Sequence, residues 1–158
     1  ALPYKTMALA DIAALPIGDL CNPGAHVYLW TTNKMLRSAF DVLDAWGVSF
    51  HLAMPMVKPS GIAPSVGYVF GSEFVLLGFY GRPMQKFTSI GALNWLTMPS
   101  RAGKHSEKPD AFYDLVQRMS PGPYADVFAR RHRLGWQVWG DVVYSDFELA
   151  TFSPSVAL

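Results

Sequence analysis

Three stretches of this chain, "HVYLWTT" from His26, "SEFVLLGFYG" from Ser72 and "YADVF" from Tyr124, are apolar on nearly consecutive positions instead of alternate ones. A strand with one wet face alternates, whereas a strand covered on both faces reads as a near-continuous apolar run. Such strands need helices above and below them, and the sequence supplies helices of the right kind. "MALADIAAL" repeats apolar residues at Leu9, Ile12 and Ala13 before Pro16 and Gly18 stop it. "NKMLRSAFDVLDAWG" puts Leu36, Phe40, Leu43 and Trp46 on one face, with Asn33 placed to cap its start and Gly47 where a left-handed residue ends a helix. "PDAFYDLVQRM" opens with Pro109 and lines up Phe112, Leu115, Val116 and Met119. "VSFHLAMPMV" and "LNWLTMP" read as further strands, the first placed at an edge or a bulge by Pro55. The alternation predicts an α/β fold, a mainly parallel sheet with helices on both faces.

Length fits a single domain over residues 1–158. Hydrophobic residues make up 51% and charged residues 16%, enough for a core and too apolar for disorder. A net charge of +1 neither requires nor excludes a polyanionic partner, so only local clustering speaks to one. The single cysteine, Cys21, rules out an internal disulfide framework and suits a reducing compartment, which makes a cytoplasmic location the expectation. No apolar run reaches membrane-spanning length, so no membrane partner is expected. The four histidines are scattered and Cys21 has no second cysteine, so no metal site is expected.

In sheets of this kind ligands sit beyond the carboxyl ends of the strands. That directs attention to Lys58, to "RAGKHSEKPD" with Arg101, Lys104 and Lys108, and to "FARRHRLGW" with Arg130, Arg131, His132 and Arg133. The second offers cations to a carboxylate or phosphate ahead of a helix start, and Lys58, ending a strand at the mouth of a loop, suits an anion contact or simply faces solvent. The arginine cluster suits the ribose or phosphate of a nucleotide, a nucleic-acid backbone, or simply a solvated surface. Glu73 enters an apolar strand, where burial demands a partner such as Arg101 or Lys58 unless it faces water at the strand mouth. Trp136 and Trp139 serve either base stacking or the core.

In order along the chain, "LPYKTM", "VYLWTTN", "AWG", "VKP", "HSEKPDAFYDLVQRMSPG", "VFARRHRLGW" and "WGD" resemble the MT-A70 family of S-adenosylmethionine-dependent adenine N6-methyltransferases, from Leu2 to about Asp146. The resemblance implies a Rossmann-like methyltransferase fold and S-adenosylmethionine as methyl donor. By it, Lys108 would bind the donor's carboxylate, Arg130 and His132 its ribose hydroxyls, and Asp141 would help fix it. Tyr4 would line the adenine pocket and Glu73 would sit on the substrate side. A nucleic-acid face would draw on Lys58, Arg101, Lys104, Arg131 and Arg133, with DNA favoured over RNA because "RAGKHSEKPDAFYDLV" is nearest the phage and bacterial branch. A homodimer or heterodimer is also compatible with the family.

One family feature is missing. Relatives carry a strand ending Asp-Pro-Pro-Trp before the "LPY" segment, and this sequence has no such motif. Met56 and Val142 also replace residues that relatives hold as Trp and as Glu or Gln. The expectation is the downstream part of a longer enzyme, with an inactive scaffolding or nucleic-acid-binding relative as the alternative. Either way, losing a central strand should leave an apolar gap in the sheet.

Overall fold

The computed structural model describes residues 6–99 and 107–149. In chain order these form α1 (Leu9–Ala13), a 3-10 turn (Ile17–Leu20), β1 (Ala25–Thr31), α2 (Leu36–Ala45), β2 (Val48–Val57), the short pair β3 (Ala63–Pro64) and β4 (Val69–Phe70), and β5 (Ser72–Tyr80). Next come β6 (Leu96–Thr97), α3 (Asp110–Met119), β7 (Tyr124–Val127) and β8 (Trp136–Trp139). Among the described residues no helix is long and apolar enough to cross a membrane.

The α/β class is as expected, but the sheet is mixed and not mainly parallel. Its order is β1-β5-β2-β6, with β5 antiparallel to both β1 and β2, and only β2 and β6 parallel. A separate parallel pair holds β7 and β8. The apolar run of β5 reports burial on two faces, which a central antiparallel strand shares with a parallel one; direction leaves no mark in composition. Val75, Leu76 and Leu77 are all buried because alternate residues enter different cores. Leu76 joins Val27, Leu29 and the α2 residues Ala39, Val42 and Leu43 on one side. Val75 and Leu77 join Tyr28, Trp30 and the α3 residues Phe112 and Val116 on the other. Helices therefore cover both faces.

Gly78 lets β5 lie close to β2, since a Cβ there would stand 2.6 Å from the Ser49 carbonyl oxygen. Gly47 is left-handed at φ 71° and ends α2 as the sequence predicts. Asn33 does not cap that helix. Its side-chain amide instead donates to Ser72 O at 2.7 Å, tying the loop after β1 to the start of β5. In β2 a register irregularity falls between Phe50 and Leu52, and Pro55 lies just before the two residues that β6 pairs with.

Ser120, 2% exposed at the end of α3, ties the two sheets together. Gln85 O can only accept, so His26 Nε2 carries the proton that it receives at 2.8 Å. His26 Nδ1 then accepts from the Ser120 hydroxyl at 2.6 Å, and Ser120 Oγ accepts from Tyr28 OH at 2.7 Å. Tyr124 OH donates to Ser120 O at 2.7 Å. Ser120→Ala strands both His26 Nδ1 and Tyr28 OH, an expected loss of about 1–3 kcal/mol in urea unfolding. Burial pushes the His26 pKa below its ordinary 6.5, against the hydrogen bond to Gln85 O. The unfolded chain then takes up the proton more readily than the folded one, so stability should fall as pH drops through that ordinary value towards the folded one. The fall should be smaller in His26→Gln.

Candidate functional site

A cleft of about 550 Å³ opens between β1 and β7, and one end of it gathers the polar side chains at the strand exits. Lys108, just ahead of α3, holds its ammonium 4.5 Å from the centre of the Trp30 ring at the end of β1. Trp30 is itself held edge-on by Phe112, with ring centres 4.9 Å apart. Burial pushes the Lys108 pKa down; the fields of Glu73 and Asp126 oppose this, and that of Arg130 adds to it. Asp126, in β7, is shifted up by burial, an effect opposed by the hydrogen bond that Tyr113 OH donates to it at 2.9 Å. A desolvated cation on an aromatic face, beside a carboxylate reluctant to ionise, favours an anion arriving from the cleft.

The turn after β7 brings Arg130, and the exit of β8 brings Asp141, to the same cleft. Phe128 takes a left-handed φ of 65°, unusual for a bulky residue, and bends the chain out of the strand. Beyond it Ala129 N donates to Trp139 O at 2.9 Å, so the residues leaving β7 and β8 run side by side. Gly140 permits this approach, because a Cβ there would stand 2.6 Å from Ala129 O. Gly140→Ala should spread the two exits and cost about 1–3 kcal/mol by overpacking against backbone, measured by urea denaturation.

Of the residues the sequence singles out, Lys108, Arg130 and Asp141 meet at this cleft. Glu73 does not line it but lies on β5, close enough for its charge to act on Lys108. His132 is exposed and faces a separate surface recess with Arg131, Arg133 and Leu134, away from its expected companion Arg130. Arg133 is committed within the fold. It lies 3.6 Å over the Tyr113 ring and bonds Asp110 at 2.6 Å, and its side chain is 14% exposed. Arg131 also pairs with Asp110, and with Glu107 at 3.5 Å, yet keeps about half its side chain, 48%, in solvent. These two guanidiniums hold the Asp110 carboxyl below the usual carboxylate range. Lys58 sits at the base of the β3–β4 hairpin, its backbone N–H donating to Gly71 O. Tyr4, Arg101 and Lys104 lie outside the described residues.

Sequence reasoning missed Asp126, Tyr113 and Trp30. Asp126 carried a signal, a lone acid inside an apolar strand, like the one that drew attention to Glu73. Among the described residues no group of three His, Cys, Asp or Glu is placed to hold a metal ion.

Cations and carboxylates of this α/β layered chain thus converge on one cleft. The MT-A70 family model matches residues 1–142, and the chain belongs to that family. It is 26% identical over 139 residues to the type II methyltransferase M.MunI of a Mycoplasma species, covering 87% of this chain and 58% of that protein. It is 28% identical to an N(6)-adenosine-methyltransferase MT-A70-like protein of Drosophila melanogaster, covering 84% and 22%. Against the human N(6)-adenosine-methyltransferase catalytic subunit METTL3 it is 27% identical, covering 84% and 24%. The chain thus spans from about a fifth to under three fifths of the length of these relatives.

Proposed function

We propose that this chain carries the donor-binding part of a methyltransferase that moves a methyl group from S-adenosylmethionine to N6 of adenine in nucleic acid, with DNA the favoured substrate. The observation that carries this is the shared cleft of Lys108, Arg130 and Asp141. The residues fit the donor: besides the Lys108 ammonium, two buried indole N–H groups beside the cleft, on Trp30 and Trp136, have no acceptor among the described residues. A carboxylate-bearing, acceptor-rich nucleoside answers both needs.

When bound, the donor supplies an electrophilic methyl on a sulfonium sulfur. The chain's own residues bind and orient. Lys108 would pair with the donor's carboxylate, and Arg130 and Asp141 would hold its sugar. Glu73 would serve the substrate side, where a carboxylate can accept a proton from adenine's exocyclic nitrogen, whose lone pair is otherwise delocalised into the ring. Most of the rate enhancement in such a direct displacement comes from alignment. A duplex substrate would present its adenine flipped out of the stack.

A second reading, an inactive nucleic-acid-binding or scaffolding relative, is favoured by the absence of an Asp-Pro-Pro-Trp motif from this sequence. Calorimetry with S-adenosylmethionine, followed by tritiated methyl transfer to DNA and to RNA, separates the two. Donor binding with transfer supports the enzyme; transfer to neither, even with that motif supplied ahead of the chain, supports the scaffold.

Lys108→Met should abolish measurable donor binding, and unchanged affinity would remove the carboxylate role. Because the Lys108 pKa is lowered, its charge is lost at lower pH than an ordinary lysine's. Donor affinity should therefore begin to fall on the alkaline side before a normal lysine titrates, and Lys108→Arg should move that fall to higher pH. The nucleic-acid face rests on Arg131 more than on Arg133, since Arg131 keeps the exposed side chain. Arg131→Ala should reduce the slope of log affinity against log salt by about 0.9 on duplex DNA. An unaltered slope would confine Arg131 to its ion pairs.

A further inference from the structure

Donor binding leaves the β3–β4 hairpin without a role. Among the described residues these two strands form a sheet of their own, and residues 62–69 are all exposed, so the hairpin stands clear of the body. Ser65 N donates to Tyr68 O at 2.8 Å and Gly67 takes a left-handed φ of 77°, which closes a two-residue turn. At that turn Val66 is 97% exposed and Tyr68 84%. Turns at the surface are ordinarily polar, and apolar side chains grouped at one exposed tip mark a contact surface. The stalk beneath is braced: Lys58 N donates to Gly71 O and Ile62 N to Phe70 O, both at 2.7 Å.

The base of the hairpin is the polar end of the sheet. Ser72 lies opposite Val57 in the ladder and its carbonyl accepts from Asn33 in the loop after β1. The next residue is Glu73, whose field reaches Lys108. Four or five extended residues between base and turn carry the tip about 15 Å outward, while the grooves of B-DNA are only about 7.5–8.5 Å deep. Residues 58–72 include Lys58 and no carboxylate, so nothing in the hairpin repels a phosphate backbone. A protein partner fits less well: the turn presents two large side chains, where a standard protein interface draws on roughly 20–30 residues a side.

We infer that the hairpin is a wedge for duplex DNA: Val66 and the ring of Tyr68 enter the base stack beside the adenine and fill the space it leaves as it swings out towards Glu73. Valine fills the vacated volume, and the tyrosine ring stacks on the base left behind. A braced tip loses little freedom on entering, so its apolar contact goes towards separating the bases. This inference rests on the proposed methylation of adenine in DNA.

The test uses the full chain and a pool of duplexes of about 25 base pairs, randomised around one central adenine that is replaced by 2-aminopurine, a base that fluoresces when unstacked. A second pool sets the same base opposite an abasic site, where it is already loosened. Wild-type chain should raise the fluorescence of the paired pool severalfold. Val66→Ser combined with Tyr68→Ser should abolish that rise and weaken binding to the paired pool about tenfold, while binding to the abasic pool and to single strands changes less than about twofold. Both side chains face solvent, so the variant should keep its fold, shown by an unchanged thermal midpoint and unchanged calorimetry with S-adenosylmethionine. A double variant that unstacks the base like wild type would overturn the wedge and leave the methylation reading standing; so would equal weakening on both pools, which marks an ordinary groove contact. A chain that binds neither pool loses the wedge together with the DNA reading, and donor calorimetry then decides separately whether the donor site survives. If wild type sediments as a dimer that the variant dissolves, the tip belongs to a second copy and the wedge falls.

Discussion

The hydrogen bonds meeting at Ser120 set the spacing of everything else. β1 and β7 share no ladder, so their distance is not fixed by the 4.8 Å repeat that ordinarily locks neighbouring strands. It is fixed at one end by His26, Tyr28 and Tyr124 converging on one buried serine, and along one face by α3 packing under both. Because His26 Nε2 must donate to a carbonyl, each proton in the chain has one permitted place. A directed chain of this kind resists sliding better than apolar contact, which tolerates small displacements. The polar end of the cleft inherits its geometry from that register: Lys108 can rest on Trp30 while sensing Asp126 only if β1 and β7 hold their separation.

At the start of α3, charge does related work on the outside. Asp110 draws in Arg131 and Arg133, and Arg133 lies flat over Tyr113, whose hydroxyl bonds Asp126. The surface cluster and the buried carboxylate are thus linked through one tyrosine ring. An exposed ion pair alone contributes little, so the value of this arrangement lies in orientation: it fixes the Tyr113 ring and through it the Asp126 carboxylate. Three arginines within four positions consequently have different surroundings. Arg130 lines the cleft, Arg131 is half in solvent, and Arg133 is packed.

Much of this was legible in the sequence, and the failures have physical causes. The long strands and α2 and α3 announce themselves by apolar period and by punctuation at Pro109 and Gly47. The direction of β5 does not, because burial on two faces writes the same residues either way. Asn33 looks like a cap locally, but a carbonyl from β5, 39 residues later, offers a better acceptor. "LNWLTMP" forms only Leu96–Thr97 as strand, since Asn94 turns its side chain onto Ala53 O in place of extending the ladder. The arginine cluster carried three readings in sequence, and only the fold could distribute them among neighbours. Position at a strand exit pointed to Lys108 and Arg130 and the resemblance added Asp141, and all three line the cleft, whereas His132, two residues after Arg130, faces a different recess.

The apolar gap and the polar end are parts of one cavity, and this couples them energetically. Lys108 is charged against a desolvation penalty, and the size of that penalty depends on how much water reaches the ring of Trp30. Filling the space between β1 and β7 excludes water there, which strengthens attraction to an incoming anion and raises the cost of leaving the ammonium unpaired. By linkage, whatever a filled gap adds to the binding of an anion at Lys108, that anion adds to the filling of the gap. Two features that look separate along the sequence, a run of strand edges and a lysine ahead of a helix, therefore act as one thermodynamic unit, joined by the indole of Trp30.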